Sequence, residues 1–457
     1  MKTKNIRNVI VLLFVVTVVF FAWKSVEASV PGWTISGTGH VMGLKDSINL
    51  AWILLSAFLV FNMQAGFAFL GVGFLKKKNT LNYLAMSFLD FCVGGFVFWI
   101  LGFGVMYGGS YLSAGLEKGN SFIGYSGFFL NGEAYNASTS AIWLFQVMFA
   151  ITSCAIFAGA ITERFKFTSH LIYSAFICGI LYPVFGHWVW GGGWLGNLPF
   201  GEGMKDFAGS GVVHGLGGIV AFMGARMVGP RFGKYNPDGT PNSFPGHNLT
   251  YVVIGTLILI FGWFGFNAGS SLAVTEFRVA IIATNTFLSA ISGALSVLVA
   301  SYFRTRVSDI TLVCNGALAG CVAITASGAY VPPWAAVIIG IIAGFILRAS
   351  LFWVEFKLRI DDPVGAISVH GANGLWGLLS VGVFADGTYM GVKGLIMGSG
   401  WQLLAQFIGC VTLIAWTLSL GYLVFYILRR TFGLRVPLKE ESRGIDIYEH
   451  GMSCYND

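Results

Sequence analysis

Residues 206–215 read DFAGSGVVHG, and residues 362–371 read DPVGAISVHG. Each stretch sets an aspartate eight residues ahead of a His-Gly pair: Asp206 before His214, Asp362 before His370. Each also lies in an apolar, glycine-rich segment of about 20 residues, the length that crosses a hydrocarbon core of about 30 Å. Counted along the chain, these are the fifth and the tenth such segments. Five is odd, so a recurring unit of five spans must cross the bilayer in the opposite sense the second time. The pattern predicts an inverted repeat, whose functional site lies near the midplane between the halves. Eight residues of helix rise about 12 Å, which brings both imidazoles toward mid-bilayer from opposite faces.

The composition demands a membrane protein. Of the 457 residues, 56% are hydrophobic and 10% charged, with a mean hydropathy of +0.75. Soluble chains carry about 25% charged residues. Eleven spans are expected near 48–75, 81–108, 138–162, 167–187, 207–228, 249–269, 277–301, 308–327, 332–354, 363–385 and 402–428. The fold class is therefore an all-α polytopic membrane protein of eleven transmembrane helices, two five-helix halves plus a final helix. Residues 1–28 have a basic start, an apolar middle and Val26 and Ala28 at the −3 and −1 positions of a cleavage site, the layout of a secretory signal peptide. An uncleaved first membrane helix is the other reading. In either case the next segment enters the membrane from outside. With that orientation thirteen lysines and arginines fall in inner loops and five more from Arg429 onward, against Lys45, Lys118, Lys205, Arg278 and Lys393 outside. The positive-inside rule favours it, so the net charge of +7 reflects topology rather than a nucleic-acid patch. The expected organisation is a signal peptide at 1–28, a membrane domain at 29–430 and a cytoplasmic tail at 431–457. Within the membrane domain, repeat one covers about 48–228, repeat two about 249–385, and the eleventh helix about 402–428.

Other chemistries find little support. The seven cysteines are scattered without CxxC spacing, suggesting neither disulfides nor a metal site. GPRFGK at 229–234 lacks the spacing and the Ser/Thr of a phosphate-binding loop and reads as a cytoplasmic turn. No catalytic residue, cofactor or metal is expected.

Each intramembrane polar residue has two readings. A lone histidine in a multi-span core is commonly a hydrogen-bonded packing residue. Two at equivalent repeat positions point instead to a pathway or a mutual pair, because ionisable groups inside a bilayer are costly. Asp362 reads as a helix N-cap. Asp206, above His214, reads equally as a cap and as an attractor of cations. The 62 glycines are close-packing positions for helices.

DFAGSGVVHGLGG, FGWFGFNAGS (261–270), HWVWGGGWLG (187–196), ITERFKF (161–167) and DDPVGAISVHG (361–371) together resemble the ammonium transporter family of microbial and plant type, the first being close to its signature. The resemblance spans nearly the whole mature chain, including a tail with GLRVP and GIDIYEHG. It implies eleven helices in two inverted halves, assembled as a homotrimer with one pore per protomer in the cell (inner) membrane. Ser270 resembles the hydroxyl that helps hold ammonium in the outer vestibule, and Trp190 that site's aromatic wall. Phe149 and Phe266 resemble two stacked rings that close the pore below it. His214 and His370 look like the paired pore histidines, Asp206 like the buried acidic partner near the recruitment site, and Thr325 like a pore-proximal threonine. Without that match, each aromatic is one of 41 phenylalanines or 14 tryptophans, most of which face lipid, core or the membrane interface.

The implied function is recruitment of ammonium (methylammonium being a further candidate), its deprotonation, and passage of ammonia past the histidines, with the proton either left behind or relayed. Two alternatives stand beside it. A Rhesus-like channel would pass neutral ammonia or carbon dioxide; a cation site at Trp190 and Ser270 argues against that. An ammonium sensor would need a partner. In the family, PII-type regulatory proteins block the cytoplasmic pore exits. Here Met452 follows His450-Gly451 where an acidic residue is usual, and Cys454 precedes Tyr455, so PII coupling stays open.

Overall fold

The computed structural model describes residues 43–455, and the expected signal peptide lies outside the described residues. Among the described residues, eleven helices are long and apolar enough to cross a membrane. They are α1 (Leu44–Phe74), α2 (Lys77–Tyr107), α3 (Ala137–Ile161), α4 (Phe167–Trp190), α5 (Ser210–Val228), α6 (Leu249–Gly269), α7 (Arg278–Arg304), α8 (Ile310–Ser327), α9 (Pro333–Lys357), α10 (Ile367–Phe384) and α11 (Trp401–Thr431). Two short helices, α12 (Leu438–Arg443) and α13 (Ile445–His450), follow. All eleven expected spans are present, their ends displaced by four residues at most.

The displacements have physical causes. Helical hydrogen bonding runs on past the apolar stretch, so α1 includes Lys45 and Asp46 and α2 includes Lys77 and Lys78. The shift at α5 and α10 goes the other way, because the left-handed Gly209 and Gly365 hold back the start of helical hydrogen bonding. Three further starts are fixed by side-chain caps. The carboxamide of Asn136 accepts from Thr139 N–H at 2.8 Å, that of Asn248 from Thr250 N–H at 3.1 Å, and the carboxylate of Asp309 from Thr311 N–H at 2.9 Å. In α4 the ladder widens into a π-turn over Ile177–Leu181 just before Pro183. Proline offers no N–H and crowds the carbonyl four residues back, and the wider turn accommodates both effects.

Burial sorts the spans. Every residue of α3 from Phe145 to Ile161 is buried, and α5, α8 and α10 are mostly interior as well. Their neighbours form an outer ring with long apolar faces, as on α7 with Phe287, Leu295 and Phe303 exposed. Pairings recur at an offset of five helices. α1 packs most extensively on α6; α2 packs on α3 and α4, as α7 packs on α8 and α9; α3 packs on α5, as α8 packs on α10. α5 and α10 then meet near the middle of the molecule.

Candidate functional site: a column of rings between two cavities

The two Asp-to-His stretches fold alike. The Asp206 carboxylate accepts backbone N–H from Gly209 at 2.9 Å, Gly211 at 2.8 Å and Val212 at 2.9 Å. Asp362 accepts from Gly365 at 3.0 Å and Ile367 at 2.7 Å. In each, the residue three positions after the aspartate is a glycine in the left-handed region, Gly209 at φ 110° and Gly365 at φ 79°, where a side chain would be strained. A π-turn follows, over Ser210–Gly215 and Ile367–Ala372, and each contains the histidine. Such widened turns rotate side chains off the normal helical register.

His214 and His370 are both buried, and their Nδ1 atoms lie 3.1 Å apart. The rings are 5.2 Å apart between centroids and inclined by 24°. At that distance one Nδ1 carries the shared proton and the other accepts. In the neutral pair the two tautomers therefore differ: one Nε2 is a donor and the other an acceptor. His214 Nε2 is buried without a hydrogen-bond partner in the protein. An orphaned buried polar atom of this kind costs about 1–3 kcal/mol, which argues that its position serves a ligand.

Glycine lets the two helices approach. A Cβ added at Gly218 of α5 would come within 2.1 Å of Gly371 N and 2.3 Å of its Cα, beside His370. Aromatic rings continue the column upward. His214 lies 5.3 Å from Phe266, which stacks on Phe149 at 4.0 Å and 22°. Phe149 meets Trp190 edge-on at 6.4 Å and 79°. Both phenylalanines are fully buried.

Above them opens a cavity of about 340 Å³ lined by Phe149, Trp190, Asp206 and Ser270 among others. The Trp190 indole N–H donates to the Asp206 carbonyl at 2.6 Å, which fixes the ring as a wall. Ser270 donates its hydroxyl proton to the Phe266 carbonyl at 2.8 Å, leaving oxygen lone pairs to accept. Burial pushes the Asp206 carboxyl up to about 6, against the backbone N–H groups that favour its anion. Beyond the histidines, a second cavity of about 420 Å³ is lined by Asp362, Gly365 and Asn315.

A model of the Ammonium Transporter Family matches residues 51–455. The chain belongs to that family. It is 45% identical over 421 residues to ammonium transporter Amt2 of Archaeoglobus fulgidus, covering 89% of this chain and 88% of that one. It is 38% identical to ammonium transporter 1 member 3 of Solanum lycopersicum, covering 90% and 94%. Among solved structures, one titled "Sensor Amt Protein" superposes with a TM-score of 0.82 at 38% identity, covering 89% of this chain and 99% of that chain. Mep2 of Candida albicans gives 0.77 at 28%, covering 86% and 87%.

Within this ammonium transporter fold, Thr325 stands behind the column. Its hydroxyl accepts from the Trp263 indole N–H at 3.0 Å and donates to the Cys321 carbonyl at 2.7 Å. It touches the pair through Trp263, whose ring stacks on His214 at 5.1 Å and 22°. Sequence reasoning missed Trp263, although it precedes Phe266 by three residues and so shares its helix face. It also missed Phe67, 6.3 Å from His370, which nothing distinguishes from the other phenylalanines. Gln146, three residues before Phe149, and Lys205, directly before the motif aspartate, also line the Trp190 cavity. Burial lowers the Lys205 ammonium below its ordinary value, with Glu202 pulling the other way.

Proposed function

We propose that this ammonium transporter gathers the cation at Trp190, Phe149 and Ser270, removes its proton, and passes ammonia between His214 and His370. Moving a small cation from water into a low-dielectric interior has an effective cost of several kcal/mol. Aromatic faces offset about 0.5–2 kcal/mol each when desolvated, and the Ser270 oxygen adds an acceptor. Potassium gains from the same faces but has no proton to release. The Phe149–Phe266 stack therefore stops it as an ion, whereas ammonia carries no charge to desolvate. Past the rings, the donor Nε2 can meet the ammonia lone pair, and the acceptor Nε2 an ammonia N–H. The proton either stays on the Trp190 side or follows through the shared Nδ1 position. With its oxygens engaged by backbone amides, Asp206 holds the turn and adds negative potential beneath the cavity.

The observation that carries this reading is the unpartnered Nε2 of a buried histidine whose other nitrogen lies 3.1 Å from a second histidine, behind two stacked rings. Charge movement across a solid-supported membrane bearing the purified protein tests it. Ammonium pulses are expected to evoke current and potassium pulses none, with Trp190→Leu weakening the ammonium response. Ammonia flux with no charge movement would overturn the relayed proton, and such flux undiminished in Trp190→Leu would favour the neutral-gas channel.

The wider organisation belongs to the same proposal. Recurrent helix pairings and the paired Asp-Gly-His turns support two inverted halves. The positive-inside bias supports a mature N-terminus outside and the tail at 431–457 in the cytoplasm. Homotrimeric assembly, the cell (inner) membrane, methylammonium as a substrate and a PII-type partner rest on the family likeness; the neighbour titled a sensor lends the partner some support.

A further inference from the structure

We propose that the protein binds a phosphate-bearing anion between its tail and the turn that joins α1 to α2. A cavity of about 710 Å³ opens there. Lys76, Lys77 and Lys78 line one wall, and Arg443, at the end of α12, lines the other. Among the described residues, no carboxylate lies within ion-pair distance of Lys76, Lys78 or Arg443. The Lys76 ammonium rests 3.8 Å above the Phe244 ring, and Lys78 donates to the Ser442 carbonyl. Two acidic side chains share the wall, but Asp446 is already committed: its oxygens accept the N–H groups of Leu81 at 2.9 Å and Asn82 at 2.8 Å. Glu440 is the other carboxylate on that wall, while Glu163 and Glu441, which act on Lys78 from the adjoining cavity, are bound to Arg231 and Arg435.

Like charges gathered in a concavity focus a positive potential that favours a multivalent anion. Lysine serves phosphate as a point charge, and arginine can engage two of its oxygens. The cavity is far larger than one phosphate group, and its cations sit at the end of the spans. Both a soluble di- or polyphosphate and the headgroup of an anionic lipid have the required chemistry. The two walls belong to different parts of the chain, so an anion that bridges them fastens the tail to the membrane domain. Nothing in this inference depends on the pore.

Trypsin cleavage after the exposed Arg443 reads that fastening. Full-length protein in phosphatidylcholine nanodiscs is titrated with inorganic pyrophosphate; separately, nanodiscs are prepared with phosphatidylglycerol. Saturable protection by pyrophosphate assigns a soluble ligand, and protection by phosphatidylglycerol alone assigns a headgroup. In either arm, Lys76→Gln with Lys78→Gln raises the half-protecting concentration by about tenfold or more, whereas Glu440→Gln lowers it. Cleavage at one rate under all conditions, or equal protection of the wild type and both variants, overturns the site.

Discussion

The imidazole of His214 has one nitrogen tied to its partner and one, also buried, with no hydrogen-bond partner in the protein. Replacing it by alanine removes both the shared proton position and the free nitrogen. His214→Ala is expected to slow ammonium conduction about tenfold, equivalent to about 1.4 kcal/mol on the barrier, or to admit potassium current. Rate and selectivity that both match the wild type would count against the role. Lys205 would act in the opposite sense to the proposed cation site, since its charge shares the cavity with Trp190 and Ser270. A like charge at a part-solvated site opposes cation entry by about 1 kcal/mol. Lys205→Gln should therefore lower the half-saturating ammonium concentration severalfold. That difference should shrink at high salt, and also at alkaline pH, because burial already lowers the lysine. The sequence exposed the histidines and the motif aromatics. It could not single out Phe67, whose relevance comes only from the helix that carries it across to His370.

α5 and α10 owe their geometry to an aspartate, a left-handed glycine and a π-turn, in that order. Asp206 satisfies three buried amides and Asp362 two. Each amide left without its acceptor costs about 1–3 kcal/mol. Thermal unfolding in detergent should consequently show Asp206→Ala as the more damaging substitution, and equal or reversed effects would contradict the capping account. Gly218→Ala tests the contact between the two helices. Its methyl group would overlap the Gly371 backbone, and overpacking costs about 1–3 kcal/mol. The expected result is a lower unfolding midpoint together with slower conduction, since His370 moves with Gly371. The spacing of aspartate and histidine was plain in the sequence. The π-turns were not, because helical phase depends on neighbours that local composition does not reveal.

Across the whole molecule, the loops on the side that carries the tail are joined by a buried charge cluster. Arg231 donates to both oxygens of Asp361, at 2.8 and 2.9 Å, and to Glu163, which also accepts from Asn79 at 2.7 Å. Arg164, from the ITERFKF motif, donates to the Asp361 carbonyl at 2.7 Å. Removing one member of such a cluster leaves buried charge uncompensated, at about 3–5 kcal/mol. Arg231→Met should reduce the unfolding midpoint sharply while leaving ring stacking in the pore intact. Burial pushes the Asp361 carboxyl up, but the Arg164 and Arg231 guanidiniums outweigh it and hold the group well below the usual carboxylate range. A depressed carboxyl contributes fully above its unfolded value of about 4 and loses that contribution as pH falls through the folded value. The midpoint should thus be insensitive to Asp361 near neutrality and decline only below about pH 4. Orientation has its own check: Cys454 is exposed on the tail. In sealed right-side-out vesicles an impermeant maleimide should label it only after permeabilisation, and labelling of intact vesicles would reverse the topology.

The chain alone determined the number of spans and their approximate limits, because bilayer thickness sets a length that a run of apolar residues must meet. It also determined which polar residues lie within those spans, because each is conspicuous in an apolar setting. Tertiary structure alone decided that imidazoles 156 residues apart lie 3.1 Å from one another, that Phe149 covers Phe266, and that the tail seats on the α1–α2 turn. Those contacts join helices distant in sequence, and close packing between them, with glycines admitting backbone to backbone, fixes which side chains face each other.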